Sequence, residues 1–178
     1  RDFALVAFGG AGALHGAALA KDLSIPTVLV PPNPGVTSAM GCLLVDITHD
    51  LSQMYLSDLA DVDPKEVEKS FIKLEKEGHD HLANEGVSSD QMVFQRFVDM
   101  RYLGQWRAMS IPVGNNITSL DDAAAQFHVD HGREHNYSRP EAPVEVYRIQ
   151  IKATGLTRKA EFAKHAISNA SLPDPVEE

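Results

Sequence analysis

An α/β fold that opens with a β-α-β unit follows from three observations, and the helix and strand runs from about residue 58 add an α+β region. Residues 3–8 are an uncharged apolar run, the pattern of a strand buried on both faces. The glycine-dense turn Gly9-Gly10-Ala11-Gly12 leads from it into an Ala/Leu-rich segment of helical spacing. A second apolar run, Thr27-Val28-Leu29-Val30, follows that segment, and a crossover of this length makes the two strands parallel.

With 178 residues there is room for one or two domains with a real core. Hydrophobic residues at 43% and charged ones at 23% place the chain among soluble globular proteins, and a cytoplasmic enzyme fits. A net charge of −9 disfavours nucleic acid or an anionic membrane as the main partner, although one local site can still hold a nucleotide. The single cysteine, Cys42, rules out a disulfide frame and a Cys-based zinc site, and its apolar surroundings predict a buried, inert thiol. No apolar run is long enough for a membrane span, and no signal-peptide pattern opens the chain. Arg1 is not a start methionine, and a strand needing neighbours on both edges begins by residue 3. The sequence therefore reads as a piece of a longer polypeptide.

In chain order, the first helix is expected from about Gly12 to Leu23, with Leu14, Ala17, Ala18 and Leu23 on one side. After the second strand, Pro31-Pro32-Asn33-Pro34-Gly35 is a rigid loop, which either helps form a ligand crevice or only sets the angle of the next helix. That helix runs from about Ser38 to Leu44, and residues 45–50 leave the layer as an extended strand. A boundary falls at 57–63, where Asp63 caps a helix that begins at Pro64 and stops at Glu85-Gly86-Val87. Val67, Phe71, Leu74, His81 and Leu82 repeat with helical period along it. Residues 93–103 and 109–113 read as neighbouring strands, Leu120–His135 as a helix capped by Ser119, and Val144 to Gly155 as the last strand. The remainder, to Glu178, reads as surface helix or linker.

Several groups can carry chemistry. Gly9, Gly10 and Gly12 let the backbone turn and approach a ligand, and a helix opening after a strand points free N–H groups outward. Such a turn is either an anion or nucleotide site or a tight turn that binds nothing. Its spacing matches neither the dinucleotide fingerprint nor the P-loop, whose Lys-Ser/Thr pair is missing. His128, His131 and His135 share a helix face beside Asp130; zinc there needs a further ligand, and helix packing is the competing reading, so no metal is expected. His79 and His81 do not face each other. Asp99 and Arg101 point to one strand face, where they pair with each other or with helix charges. Asp46 and His49 are candidates for a catalytic or orienting role if they lie near the glycine turn.

Phe8-Gly9-Gly10-Ala11-Gly12-Ala13-Leu14-His15 resembles the Phe-Gly-Gly-Ala-Gly-Pro-Leu-His signature of the hydantoinase A / 5-oxoprolinase family. The likeness continues in Ile25-Pro26, Val30-Pro31-Pro32, Gly35 to Gly41, Asp46 to Asp50, Asp99 to Gln105, Phe127-His128 with His131, and Pro140 to Glu145. It spans nearly the whole chain and is similar to the C-terminal portion of such proteins.

The resemblance implies an ATPase lobe like that of actin and sugar kinases over 1–57, an α+β C-terminal domain over 58–155, and a tail over 156–178. It implies use of ATP with a divalent metal, magnesium, to phosphorylate the carbonyl of a cyclic amide of the hydantoin or 5-oxoproline type, so that water opens the ring. It also implies that Gly9, Gly10 and Gly12 line the adenosine side of the ATP site, and that a hydantoinase B-like subunit or domain is the partner. The catalytic residues are expected outside this stretch, which by itself should not turn over ATP. Two other readings stay open: a subunit of an ATP-dependent ketone carboxylase, and a docking module over 58–178. Ala13 replaces the usual Pro, Trp106-Arg107 stands where small or acidic residues are common, and His135-Asn136-Tyr137 replaces an aromatic-Gly-aromatic run. These departures bear on substrate type more than on ATP use.

Overall fold

The computed structural model describes residues 2–161; the expected tail beyond 161 lies outside them. The fold is α/β, with one small parallel sheet and one antiparallel sheet in two compact units.

Among the described residues, the first unit comprises 2–45 and 158–161. Strand β1 (Ala4–Val6) pairs in parallel with β2 (Thr27–Leu29), and helix α1 (Gly12–Asp22) is the crossover between them. The apolar stripe of α1 differs from expectation. Gly16 and Ala20 face inward, whereas Leu14 is 79% exposed and Leu23 is also in the open. The cause is clearance: a Cβ on Gly16 would stand 2.9 Å from the Ala7 methyl, so only small residues fit beneath the helix. The strand expected to be buried on both faces is also exposed at Val6, which points to the face opposite Ala7 and helix α1. Helix α2 (Thr37–Cys42) follows a 3-10 turn at Pro34–Val36. Cys42 is exposed, contrary to the buried thiol expected, because the apolar run around it turns much of itself outward.

The second unit, Asp46–Thr157, is a four-stranded antiparallel sheet in the order β3-β6-β4-β5. Its strands are β3 (Ile47–Asp58), β4 (Met92–Tyr102), β5 (Met109–Val113) and β6 (Val144–Gly155). Compactness places the division at 45/46 rather than near 57, because β3 runs along β6 from Ile47↔Gly155 to Asp58↔Glu145. Ile47, Leu51 and Tyr55 thereby pack on the core. Helices α3 (Pro64–Asn84) and α4 (Asp121–His135) contribute Val67, Phe71, Leu74 and Leu82, and Ala123 and Phe127, to one core over the sheet.

Local chemistry sets these boundaries. The Asp63 carboxylate accepts from Lys65 N at 2.9 Å, and Pro64 takes the first helical position, where no N–H is missed. Gly86, at φ +83°, ends α3, with Val87 N donating back to Leu82 O at 3.0 Å. Ser119 acts one residue ahead of the cap position: its Oγ accepts from Asp121 N at 3.0 Å, while Leu120 stands at the cap itself. His81, expected on the buried stripe, is exposed; Gly78 is buried in its neighbourhood instead, against Ala153. In β6, Ile149, Ile151 and Ala153 face the core, yet further back Val146 and Val144 do. An irregularity opposite Asp99/Met100 inserts one extra residue, which switches the inward parity. Among the described residues no helix is long and apolar enough to cross a membrane.

Candidate functional site

At the C-terminal ends of the two parallel strands, the glycine turn and the proline loop are tied together. Ala7 N donates to Leu29 O at 2.9 Å, and Gly9 N donates to Pro34 O at 2.8 Å. Gly9 has φ +89°, a conformation that side chains rarely adopt, so the turn itself requires glycine there. Gly10 is different. An added Cβ would meet nothing within 4 Å, so its lack of a side chain answers no contact inside the described chain. Gly12 opens α1 beneath Ala7, and the first turn of α1 carries no acidic residue. Opposite, Asn33 takes a left-handed conformation, and Val36 N and Thr37 Oγ1 donate to its carbonyl at 3.0 and 3.3 Å. Lys21, the basic residue of α1, lies in its last turn, away from this opening. The result is a turn without charged side chains at a helix N-terminus, whose free N–H groups can receive a hydrogen-bond acceptor close to backbone.

The histidines of α4 form a second cluster. His131 is 1% exposed, and both its ring nitrogens are engaged. Nδ1 lies 2.8 Å from Tyr137 O and Nε2 lies 3.1 Å from the Gln105 amide nitrogen. A carbonyl only accepts and an amide NH₂ only donates, so this partnering assigns the neutral Nδ1–H tautomer. His128 Nδ1 lies 2.8 Å from Tyr102 Oη, which accepts from Arg139 N at 2.7 Å. His135 rests its ring on His131, centroids 4.6 Å apart. The arrangement ties α4, β4 and the 137–139 segment together. Among the described residues, no group of three or more His, Cys, Asp or Glu is placed to hold a metal.

The remaining candidates have other partners. Asp99 is 2% exposed and accepts from Arg148 Nε and Ser110 Oγ, each at 2.6 Å. Arg101 donates to Glu145 at 2.6 Å and lies over the Tyr147 ring. The expected pairing of Asp99 with Arg101, or with helix charges, is therefore replaced by cross-strand pairs. Opposite positions on neighbouring strands are closer than positions i and i+2 on one strand. Asp46 accepts from Thr157 N at 2.9 Å, and His49 Nε2 lies 3.0 Å from Glu85, with His81 edge-on to the His49 ring. His79 lies 3.1 Å from Ser89 Oγ.

Sequence reasoning missed Arg96. Its guanidinium, on the helix-covered face, makes four hydrogen bonds to Glu75 and Glu68 at 2.6–3.0 Å. The hydrogen bonds that Arg96 donates to Glu75 are the leading cause of a pKa raised above the usual arginine value, and burial opposes them. Glu68 and Glu75 stand seven apart on α3, two turns on one stripe, and that spacing was the available signal.

Residues 1–51 match the model of a family described as hydantoinase/oxoprolinase. An uncharacterized protein of Methanocaldococcus jannaschii is 37% identical over 91% of this chain and 23% of its own length. Caprolactamase subunit alpha of Pseudomonas jessenii is 30% identical over 97% of this chain and 26% of its own. The solved structure of the ATP-dependent caprolactamase from that organism superposes on 98% of the chain with a TM-score of 0.73 and 29% identity, covering 26% of the solved chain. The gamma subunit of acetophenone carboxylase from Aromatoleum aromaticum is 33% identical over 68% of this chain and 18% of its own. The chain thus spans about a quarter of the first two relatives and less of the third.

Proposed function

Since the chain belongs to the hydantoinase/oxoprolinase family, we propose that it is part of an ATP-dependent hydrolase that opens cyclic amides. The observation that carries this reading is its likeness, over 98% of its length, to the ATP-dependent caprolactamase. ATP would supply the phosphoryl group that makes an amide carbonyl electrophilic enough for water to open the ring. This chain's own contribution is the glycine turn. Gly9 shapes it, and Gly10, with open space where a Cβ would stand, lets backbone approach the adenosine side of the nucleotide. Gly12 starts the helix whose free N–H groups border the same opening.

Charge argues that these residues do not suffice alone. A helix N-terminus and one or two backbone hydrogen bonds supply about 1–2 kcal/mol each at best, against the roughly 8 kcal/mol of micromolar binding. Phosphate neutralisation and the catalytic groups are assigned to other parts of the full polypeptide or to a hydantoinase B-like partner. Magnesium is expected with the nucleotide, but no group of three or more ligating side chains among the described residues fits it.

A second reading, an ATP-dependent ketone carboxylase, is favoured by the likeness to the acetophenone carboxylase gamma subunit. One assay separates the two. In the full-length protein with its partner subunit, phosphate release is followed with cyclic amides and with ketones, each with and without bicarbonate. Release stimulated by cyclic amides without bicarbonate supports the hydrolase. Release that requires a ketone and bicarbonate supports the carboxylase and overturns the first reading.

A further inference from the structure

The turn after β4 carries side chains that neither the core nor the glycine turn uses. Gly104, at φ +86°, reverses the chain, and Gln105 N donates to Tyr102 O at 3.0 Å. The Gln105 side chain is fixed at both ends. Its Oε1 accepts from Tyr102 N at 3.2 Å, and its Nε2 donates to Tyr137 Oη at 2.9 Å and to His131 Nε2 at 3.1 Å. On this fixed base stand Trp106, 91% exposed, and Arg107, which has no ion pair or side-chain hydrogen bond among the described residues. Gln105, Trp106, Arg107, His135 and Tyr137 line one cavity of about 160 Å³.

The chemistry of this cavity is one-sided. In a chain of net charge −9, it is lined, among the described residues, by a guanidinium without an ion pair, an imidazole and a phenol, with no carboxylate. The Tyr137 oxygen already accepts from Gln105, so its own proton is available to give. Trp106 and Tyr137 add flat apolar surface. The C-terminal end of α4 lies here and opposes an anion, but its partial charge of about one half is outweighed by the full charge of Arg107. The volume equals about five waters of liquid, which suits a small acid.

We propose that this cavity binds a small organic carboxylate. The Arg107 fork grips the two oxygens, the Tyr137 hydroxyl donates to one of them, and Trp106 covers the apolar body of the acid. The Gln105 bonds already order the turn beneath, so what binding has left to order is the Trp106 and Arg107 side chains.

Trp106 is the one tryptophan of the 178-residue chain, so the emission of that whole chain reports on the cavity. Benzoate and hexanoate are titrated in, with benzamide and hexanamide as uncharged counterparts and a capped glutamate peptide as a protein-borne carboxylate. The free acids are expected to shift Trp106 emission saturably, and the amides are not. Arg107→Ala, folded by circular dichroism, should weaken the acids about tenfold, with Arg107→Lys between the two. Equal response to acids and amides, unchanged affinity in Arg107→Ala, or saturation by the glutamate peptide alone would overturn the proposal. ATP takes no part in the titration, so the result is independent of the nucleotide reading.

Discussion

Replacing Arg96 by methionine should destabilise the antiparallel unit more than any exposed ion pair could. The guanidinium is 5% exposed and makes four short bonds to two carboxylates that are themselves about three-quarters buried. It also lies 4.9 Å from the centre of the Phe71 ring. Glu68 does a second job, accepting from Ile117 N at 3.0 Å, so disturbing it loosens the loop before α4. Methionine keeps the apolar stem but leaves two like charges facing each other with no counterion. Breaking one partner of a buried pair costs about 3–5 kcal/mol, and the partial exposure of the glutamates argues for the lower end, about 3 kcal/mol. That is a large part of the 5–15 kcal/mol typical of a folded domain. Urea denaturation followed by far-UV circular dichroism should show a lowered midpoint with an unchanged slope. The triple variant Arg96→Met, Glu68→Gln, Glu75→Gln should recover a good part of the loss, because no buried charge is then left alone. A loss below about 1 kcal/mol would refute the reasoning, since it would mean that the cluster behaves as a solvated surface pair.

Three further outcomes are expected. In the full-length protein, Gly10→Val should leave folding intact, because its Cβ meets nothing within 4 Å, yet weaken ATP binding about tenfold by calorimetry; unchanged affinity would count against the glycine turn as the nucleotide site. Gly78→Ala should destabilise by roughly 1 kcal/mol, readable as a lower urea midpoint. Its Cβ would stand 2.9 Å from the Ala153 methyl, and the overpacking cost of about 1–3 kcal/mol exceeds the helix-propensity gain of about 1 kcal/mol. Burial, and then the charge of Glu66, raise the pKa of the Tyr55 hydroxyl above 10.0, so the folded state keeps this proton longer than the unfolded chain does. The contribution is complete below pH 10.0 and is lost as pH rises through the folded value; Tyr55→Phe should flatten that part of a thermal-midpoint profile.

Helix α3 could be read from the sequence because its signals are local. Asp63 and Pro64 start it, Gly86 stops it, and Val67, Phe71, Leu74 and Leu82 repeat with its period. The β4–β5 neighbourhood was legible for the same reason, since two apolar runs flank a short glycine-containing turn. The glycine turn showed its shape in its composition, but the bond from Gly9 to the Pro34 carbonyl did not, because the partner is 25 residues away, beyond an intervening helix and strand.

By itself, then, the sequence determined the helices, the strands other than the far half of β3, and the parallel crossover at the start. The elements depend on residues within one or two turns of each other, and the parallel crossover on the length of a single connection. Only the tertiary structure decided that β3 belongs with β6, that Asp99 pairs with Arg148, and that two glutamates of α3 hold Arg96. Each of these joins residues twenty or more positions apart. The burial of α1 was decided there as well, because the depth available under a helix depends on what lies beneath it. Beneath α1 that is the Ala7 methyl, so Gly16 and Ala20 face inward and Leu14 faces out.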